Sequence, residues 1–291
     1  MSPGILPRES YREKAMRGLD ALPPFSPVLN HLMASLTHED VSFAELATVI
    51  ERDTVLSGNV LRLVNSALYG RRGTISSIRA AISLLGLNKL RKYVLGMSVA
   101  RLWARIEAPP GWNMRRFNDH SVAVAILADA IVQRGQFDYP EGAFAAGLLH
   151  DLGRLMVATS CPAQYLEISN QARATNRRLE EIESDILEVN HAELSAAALH
   201  RWGLPPAVQS AVLYHHRSTV DPTAVSSWLP LSRAVELADH LAVDSGYRIE
   251  DFDPGIAQAN PEVVAAISLS EHGSALEAEL EREIQAMRSA L

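Results

Sequence analysis

From Phe144 to Arg154 the chain reads F-A-A-G-L-L-H-D-L-G-R, an apolar stretch with a histidine and an aspartate in its middle. Ala143, Phe144, Ala145, Ala146, Leu148, Leu149 and Leu152 leave little polar surface on any side, the pattern of a buried helix rather than a surface one. An ionisable pair inside such a segment is costly unless each group is paired, hydrogen-bonded or bound to a metal. Whatever this chain folds into must therefore bring partners to His150 and Asp151.

The remaining sequence supplies helices to do so. Val28, Leu32, Met33 and Leu36 form an apolar stripe, and Ser42 with Glu45 reads as a capping box ahead of Phe43, Leu46, Ala47 and Ile50. Asp53 caps a third helix that a turn at Gly70 closes. Ser76 and Ser77 cap a short helix ended by Gly86, and a longer helix runs from about Asn88 to Ile106. Ala108-Pro109-Pro110-Gly111 cannot continue it and divides two lobes. Beyond this break, helices are expected over 114–133, 144–158, 164–174, 179–189, 192–202, 206–215 and 230–243. Asp251 to Pro261 reads as loop. Leu276, Leu280, Ile284, Met287 and Leu291 then form a narrow stripe that can dock on the body or on a second subunit. No run of alternating β-branched residues and no repeat interrupts this pattern. The expected fold is all-α: a lead-in segment (1–18), an N-terminal helical lobe (19–107), a second helical lobe (112–245) and a C-terminal loop and helix (246–291).

A net charge of -7 excludes general nucleic-acid binding, which needs a basic surface. No stretch reaches the length of about 18 apolar residues that a membrane span requires. The single cysteine, Cys161, permits no internal disulfide, fits a cytoplasmic location and excludes a cysteine-rich zinc site.

Partners for His150 and Asp151 must then be imidazoles and carboxylates. The second lobe holds His120 near the start of a helix, His191 just before one, the pair His215-His216 closing another, and Asp239 inside an apolar helix. Taken singly, each has an ordinary role as a cap or a helix-end charge. As an ordered set in one lobe they describe a nitrogen and oxygen donor site for a divalent metal, with iron or manganese favoured over zinc or magnesium. Arg154, one turn after Asp151, is placed to contact a phosphate or to stand as an exposed helix charge.

The order His120, His150-Asp151, Asp239 resembles the signature of the HD superfamily of metal-dependent phosphohydrolases, and His191 with His215-His216 resembles the additional histidines of its HD-GYP cyclic-di-GMP phosphodiesterase branch. The stretches L22-P-P-F-S-P-V, I50-E-R-D-T-V-L, L61-R-L-V-N-S-A-L-Y-G, I75-S-S-I-R-A-A-I-S-L-L-G-L, G147-L-L-H-D-L-G-R-L and W202-G-L-P-P-A-V are similar to those of the HDOD family. This resemblance implies an N-terminal helical bundle packed on an HD-like helical bundle. It also implies a bacterial regulatory role exerted through a signalling protein partner or a nucleotide-like ligand, with a homodimer permitted. Two departures separate the chain from HD-GYP enzymes. No lysine follows the His-Asp pair, and R-S-T-V-D-P stands where G-Y-P is expected after the double histidine. Two functions stay open: a regulatory module, and a metal-dependent phosphohydrolase. In the second, His120, His150, Asp151 and Asp239 would hold one ion, His191, His215 and His216 another, and Asp151 would bridge them as the catalytic centre.

Overall fold

The computed structural model describes residues 10–34, 42–66, 69, 74–224, 228–251 and 273–290. Among these residues the chain is all-α; the β-type pairing is limited to an isolated bridge between Phe137 and Leu229. The first half holds α1 (Tyr11–Arg17), α2 (Pro27–Ala34), α3 (Phe43–Glu51), α4 (Thr54–Val64), α5 (Ile78–Leu85) and α6 (Leu87–Trp103). Their starts follow from side chains that accept the open N–H groups of a first turn. Ser42 and Glu45 form a reciprocal box before α3, Asp53 accepts from Leu56 N, and Ser77 accepts from Ala80 N. Asn65 ends α4 and ties two segments together: its amide donates to Leu61 O and Ile75 O and accepts from Ile75 N, each at 2.8 Å.

The second half holds α7 (Met114–Val132), α8 (Ala143–Leu149), α9 (Leu152–Ser160), α10 (Pro162–Thr175), α11 (Leu179–Leu187), α12 (His191–Arg201), α13 (Pro206–Leu213) and α14 (Leu231–Asp244). A last helix, α15 (Gly273–Ala290), lies across α4, α6 and α7. The apolar side chains of both halves join in one continuous buried cluster. Two motifs far apart in sequence meet on it, since the Phe25 and Trp202 rings stand 4.6 Å apart.

Three expectations are corrected. The single helix over 144–158 is two helices, α8 and α9, broken at His150-Asp151, where Asp151 has φ -99° and ψ 12°. The long helix before the proline break ends at Trp103, short of Ile106. The helix expected to reach His215 stops at Leu213, so both histidines of the pair lie in the turn beyond α13. The terminal stripe faces the chain's own body, with Ile284 and Met287 buried and Met287 against Gly96. The turn at Gly70, the 252–261 part of the expected loop, Leu36, Leu291 and the side chain of Leu276 lie outside what the structure describes.

Glycine sets how closely the helices approach the break. A Cβ on Gly147 would stand 2.8 Å from Val124 O and from Ala125 Cα, so α8 lies directly on the α7 backbone. A Cβ on Gly153 would overlap the carbonyl oxygen of His191, so α9 meets the start of α12 equally closely. Gly153 N–H, one of the donors that the first turn of α9 leaves open, is taken by Ser195 Oγ at 2.7 Å.

Candidate metal centre

The break between α8 and α9 turns His150 and Asp151 toward the same space, and four other elements deliver side chains to it. His120 comes from α7, Asp239 from α14, His191 from the first residue of α12, and His215 with His216 from the turn after α13. Asp151 lies between two groups of imidazoles. Its Oδ2 is 3.6 Å from His150 Nε2 and 3.8 Å from His120 Nε2; its Oδ1 is 3.3 Å from His191 Nε2 and 3.9 Å from His215 Nε2. Asp239 Oδ1 joins the first group, 3.3 Å from His120 Nε2 and 3.9 Å from His150 Nε2. His216 joins the second, its Nε2 2.7 Å from His191 Nε2. All seven predicted donors are thus brought together.

The outer nitrogens explain the inward aim. His120 Nδ1 faces Tyr247 O at 2.8 Å, His150 Nδ1 faces Gly147 O at 2.8 Å, and His215 Nδ1 faces Val212 O at 2.6 Å. A carbonyl only accepts, so each of these Nδ1 atoms carries the proton and each ring turns its Nε2 to the centre. His191 Nδ1 donates instead to the buried carboxylate of Glu183 at 2.6 Å, which also accepts His191 N–H at 2.8 Å. This outer layer is the kind that orients metal-binding imidazoles.

Burial and charge pull the titrations apart. Burial disfavours the cation at His191, but Glu183 and Asp151 outweigh it and push the pKa up to about 9. Burial, with His150 and His191 alongside, drives His215 down to about 3. Burial, followed by His215 and His191, holds His216 well below the ordinary imidazole range. Burial opposes the anion at Asp151, yet His150, Arg154 and His191 hold its carboxyl well below the usual range. Asp239 is likewise lowered against its burial, chiefly by His120. Burial opposes the cation at His120 too, but Asp239 and Asp151 raise its pKa. The centre therefore sets two carboxylates among imidazoles of two kinds: His120 and His191 favour the proton, while His150, His215 and His216 resist it.

This donor set fits a metal. His215 Nε2 is buried and has no hydrogen-bond partner in the described structure, an arrangement that costs free energy unless something fills it. Two ligands each about 2.1 Å from one ion stand about 3.4 Å apart at the tetrahedral angle. The spacings of 3.3 to 3.9 Å around Asp151 are close to that. The centre is also nearly closed: His120, His150, His191 and His215 are at most 2% exposed.

Arg154 sits between the alternatives the sequence allowed. It is largely, not fully, buried rather than an exposed helix charge, and it donates to Asp151 Oδ2 at 3.3 Å and to Glu250 Oε1 at 3.2 Å. Glu250 in turn accepts from Ser169 and Tyr165. The segment Ser245–Asp251 thereby covers the centre, held from outside by Tyr247 Oη donating to Glu281 of α15 at 2.7 Å. Sequence reading overlooked Glu183, Ser195, Glu250 and the Tyr247 carbonyl.

Comparison with known proteins follows the same lines. A 1.90 Å crystal structure of an HDOD domain protein of unknown function from Geobacter sulfurreducens matches with a TM-score of 0.76 and 26% identity over 96% of both chains. A Shewanella amazonensis SB2B protein whose name proposes a phosphohydrolase matches with a TM-score of 0.70 and 21% identity, over 95% of this chain and 97% of that one. A Marinobacter aquaeolei VT8 protein whose name proposes signal transduction matches with a TM-score of 0.71 and 20% identity, over 98% of this chain and 61% of that one. At these identities the last two speak for the fold alone. A Treponema pallidum protein named only as uncharacterized is 24% identical over 226 residues, 76% of this chain and 42% of its own length, so the chain spans less than half of that relative. Residues 22–218 match the HDOD domain, and the chain belongs to the HDOD family.

Proposed function

We propose that this chain is a bacterial, cytoplasmic signalling module of the HDOD family. It works by binding a partner protein or a nucleotide-like ligand, and its second lobe is organised around bound divalent metal. The observation that carries the metal assignment is the buried, unpartnered Nε2 of His215, set among other imidazoles whose Nε2 atoms face the same space. His120, His150, Asp151 and Asp239 would hold one ion, and Asp151, His191, His215 and His216 a second. Iron or manganese suits a set without thiolates.

A second reading, phosphoester hydrolysis, is favoured by Asp151 alone, whose two oxygens face separate imidazole groups. Bound metal would there supply Lewis acidity toward a phosphoryl oxygen. The chain's own residues argue for binding over turnover. Arg154, the cation nearest Asp151, is engaged by Asp151 and Glu250, and Tyr247 and Glu250 roof the donors.

The test is elemental analysis of protein purified without chelator, beside the Asp151→Asn variant and a phosphodiesterase assay. One or two equivalents of iron or manganese in the wild type, loss of metal in D151N and no turnover are expected. Metal-free wild type whose melting temperature ignores added Mn(II) and Fe(II) would refute the metal assignment. Robust turnover would select the second reading.

A further inference from the structure

A cleft of about 260 Å³ lies between α2, α6 and α8, away from the donors of the metal centre. Leu32, Leu95 and Phe144 give it an apolar wall, and Asn88, Arg91, Lys92, Gln133 and Glu141 supply its polar lining. Its volume is below the roughly 300–1,000 Å³ of drug-sized pockets, so an occupant would be small.

Arg91 is the unusual member. Its guanidinium is about half-buried, and burial pushes its pKa below the ordinary arginine value against a weaker pull from Tyr139 and Glu141. No carboxylate among the described residues stands within ion-pair distance of it. Neighbouring cations are compensated: Lys92 pairs with Asp129 at 2.5 Å and Lys89 with Glu283. The first turn of α6 carries no acidic residue, so its own helix offers Arg91 nothing either. A half-buried guanidinium with no ion pair, beside an apolar wall and only partly offset by Tyr139 and Glu141, is a cost to the fold. In an acidic protein, such a group is expected where an external anion completes it.

We infer that this cleft binds a small molecule carrying one phosphate or carboxylate on an apolar body, with Arg91 facing the anion and Leu95 and Phe144 the apolar part. The ligand would touch helices of both halves, including α8, whose end carries His150. It is thus placed to set how the first half sits on the helix that delivers the His-Asp pair. The inference does not depend on metal occupancy.

The test uses the full chain in EDTA, so that an anion cannot bind through metal. Phenyl phosphate and benzoate are titrated by calorimetry, with inorganic phosphate as a third arm. One saturable site per chain is expected for at least one of the aromatic anions, and the tighter of the two names the head group. Arg91→Gln should weaken it at least about tenfold, the loss expected when a charged hydrogen bond is removed. Exposed Arg79→Gln should leave it unchanged, and Glu141→Gln, which removes the carboxylate acting on Arg91 across the cleft, should tighten it. A ligand-dependent rise in melting temperature in wild type, absent in R91Q, is the second readout, and unliganded R91Q should melt no lower than wild type. Failure of both aromatic anions to bind, full binding by R91Q, or inorganic phosphate binding as tightly as phenyl phosphate would overturn the inference.

Discussion

Replacing Glu183 by glutamine keeps the shape of the buried contact to His191 and removes its charge. In the metal-free protein this carboxylate accepts both His191 N–H and His191 Nδ1–H, at 2.8 and 2.6 Å. With Asp151 it lifts the His191 pKa from 6.5 to about 9. The protonated ring then donates Nε2–H to His216 Nε2, 2.7 Å away, whose own proton affinity is strongly depressed. A group raised in the folded state contributes its full stability below its unfolded value and loses that contribution as pH rises through the folded one. The interval from 6.5 to about 9, at about 1.4 kcal/mol for each pH unit, comes to about 3 kcal/mol, within the range for breaking a buried pair. Urea denaturation in EDTA should therefore show wild type weakening between pH 6.5 and 9, and E183Q less stable by about 3 kcal/mol at pH 6. The variant should approach wild type near pH 9. Because Glu183 orients the His191 ring and raises its basicity as a ligand, E183Q should also bind Mn(II) about 10- to 100-fold more weakly, as loss of an outer-layer partner does. Parallel pH profiles for the two proteins would refute the assignment of the charge to this pair.

Three further outcomes are expected. Gly153→Ala drives a Cβ into the His191 carbonyl oxygen, so it should cost about 3 kcal/mol or more and lose metal, read by thermal melting and elemental analysis. Arg154→Ala leaves Asp151 and Glu250 without their shared cation, costs about 3–5 kcal/mol, and should speed hydrogen exchange at the Tyr247 amide, now bonded to Ala242 O. On the acid side, His215 is held near 3 when folded, so the metal-free protein should lose stability as pH falls from 6.5 toward 3; a shallower acid limb in the His215→Gln variant, with the remainder left by His216 and His150, checks the source.

How much of this centre was legible before the structure depends on where each residue's evidence lies. Asp239 was legible because it lies inside an apolar helix, where a lone polar group needs a reason, and His120 because it falls in an ordered set with the other histidines of one lobe. The break at His150-Asp151 was not, because the apolar run contains no proline and Asp151, the N-cap of α9, makes no capping hydrogen bond; tertiary contacts make the break. The Gly153 backbone meets the His191 carbonyl, and its N–H goes to Ser195, which no local pattern encodes. Glu183 was hidden by its setting, since L-E-E-I-E-S-D reads as an exposed acidic face, and only the packing of α11 on α12 turns one of its carboxylates inward. The carbonyls that fix His120, His150 and His215 are invisible in principle, because every residue carries one. Side-chain chemistry thus announces which atoms can bind, whereas the backbone decides which nitrogen of each ring remains free to do so. That division gives a rule for chains of this family: substitutions at the seven donors should abolish metal, while changes at Gly147, Gly153 or Tyr247 that move only backbone should leave the donors present but misaimed, lowering affinity without removing a single ligand.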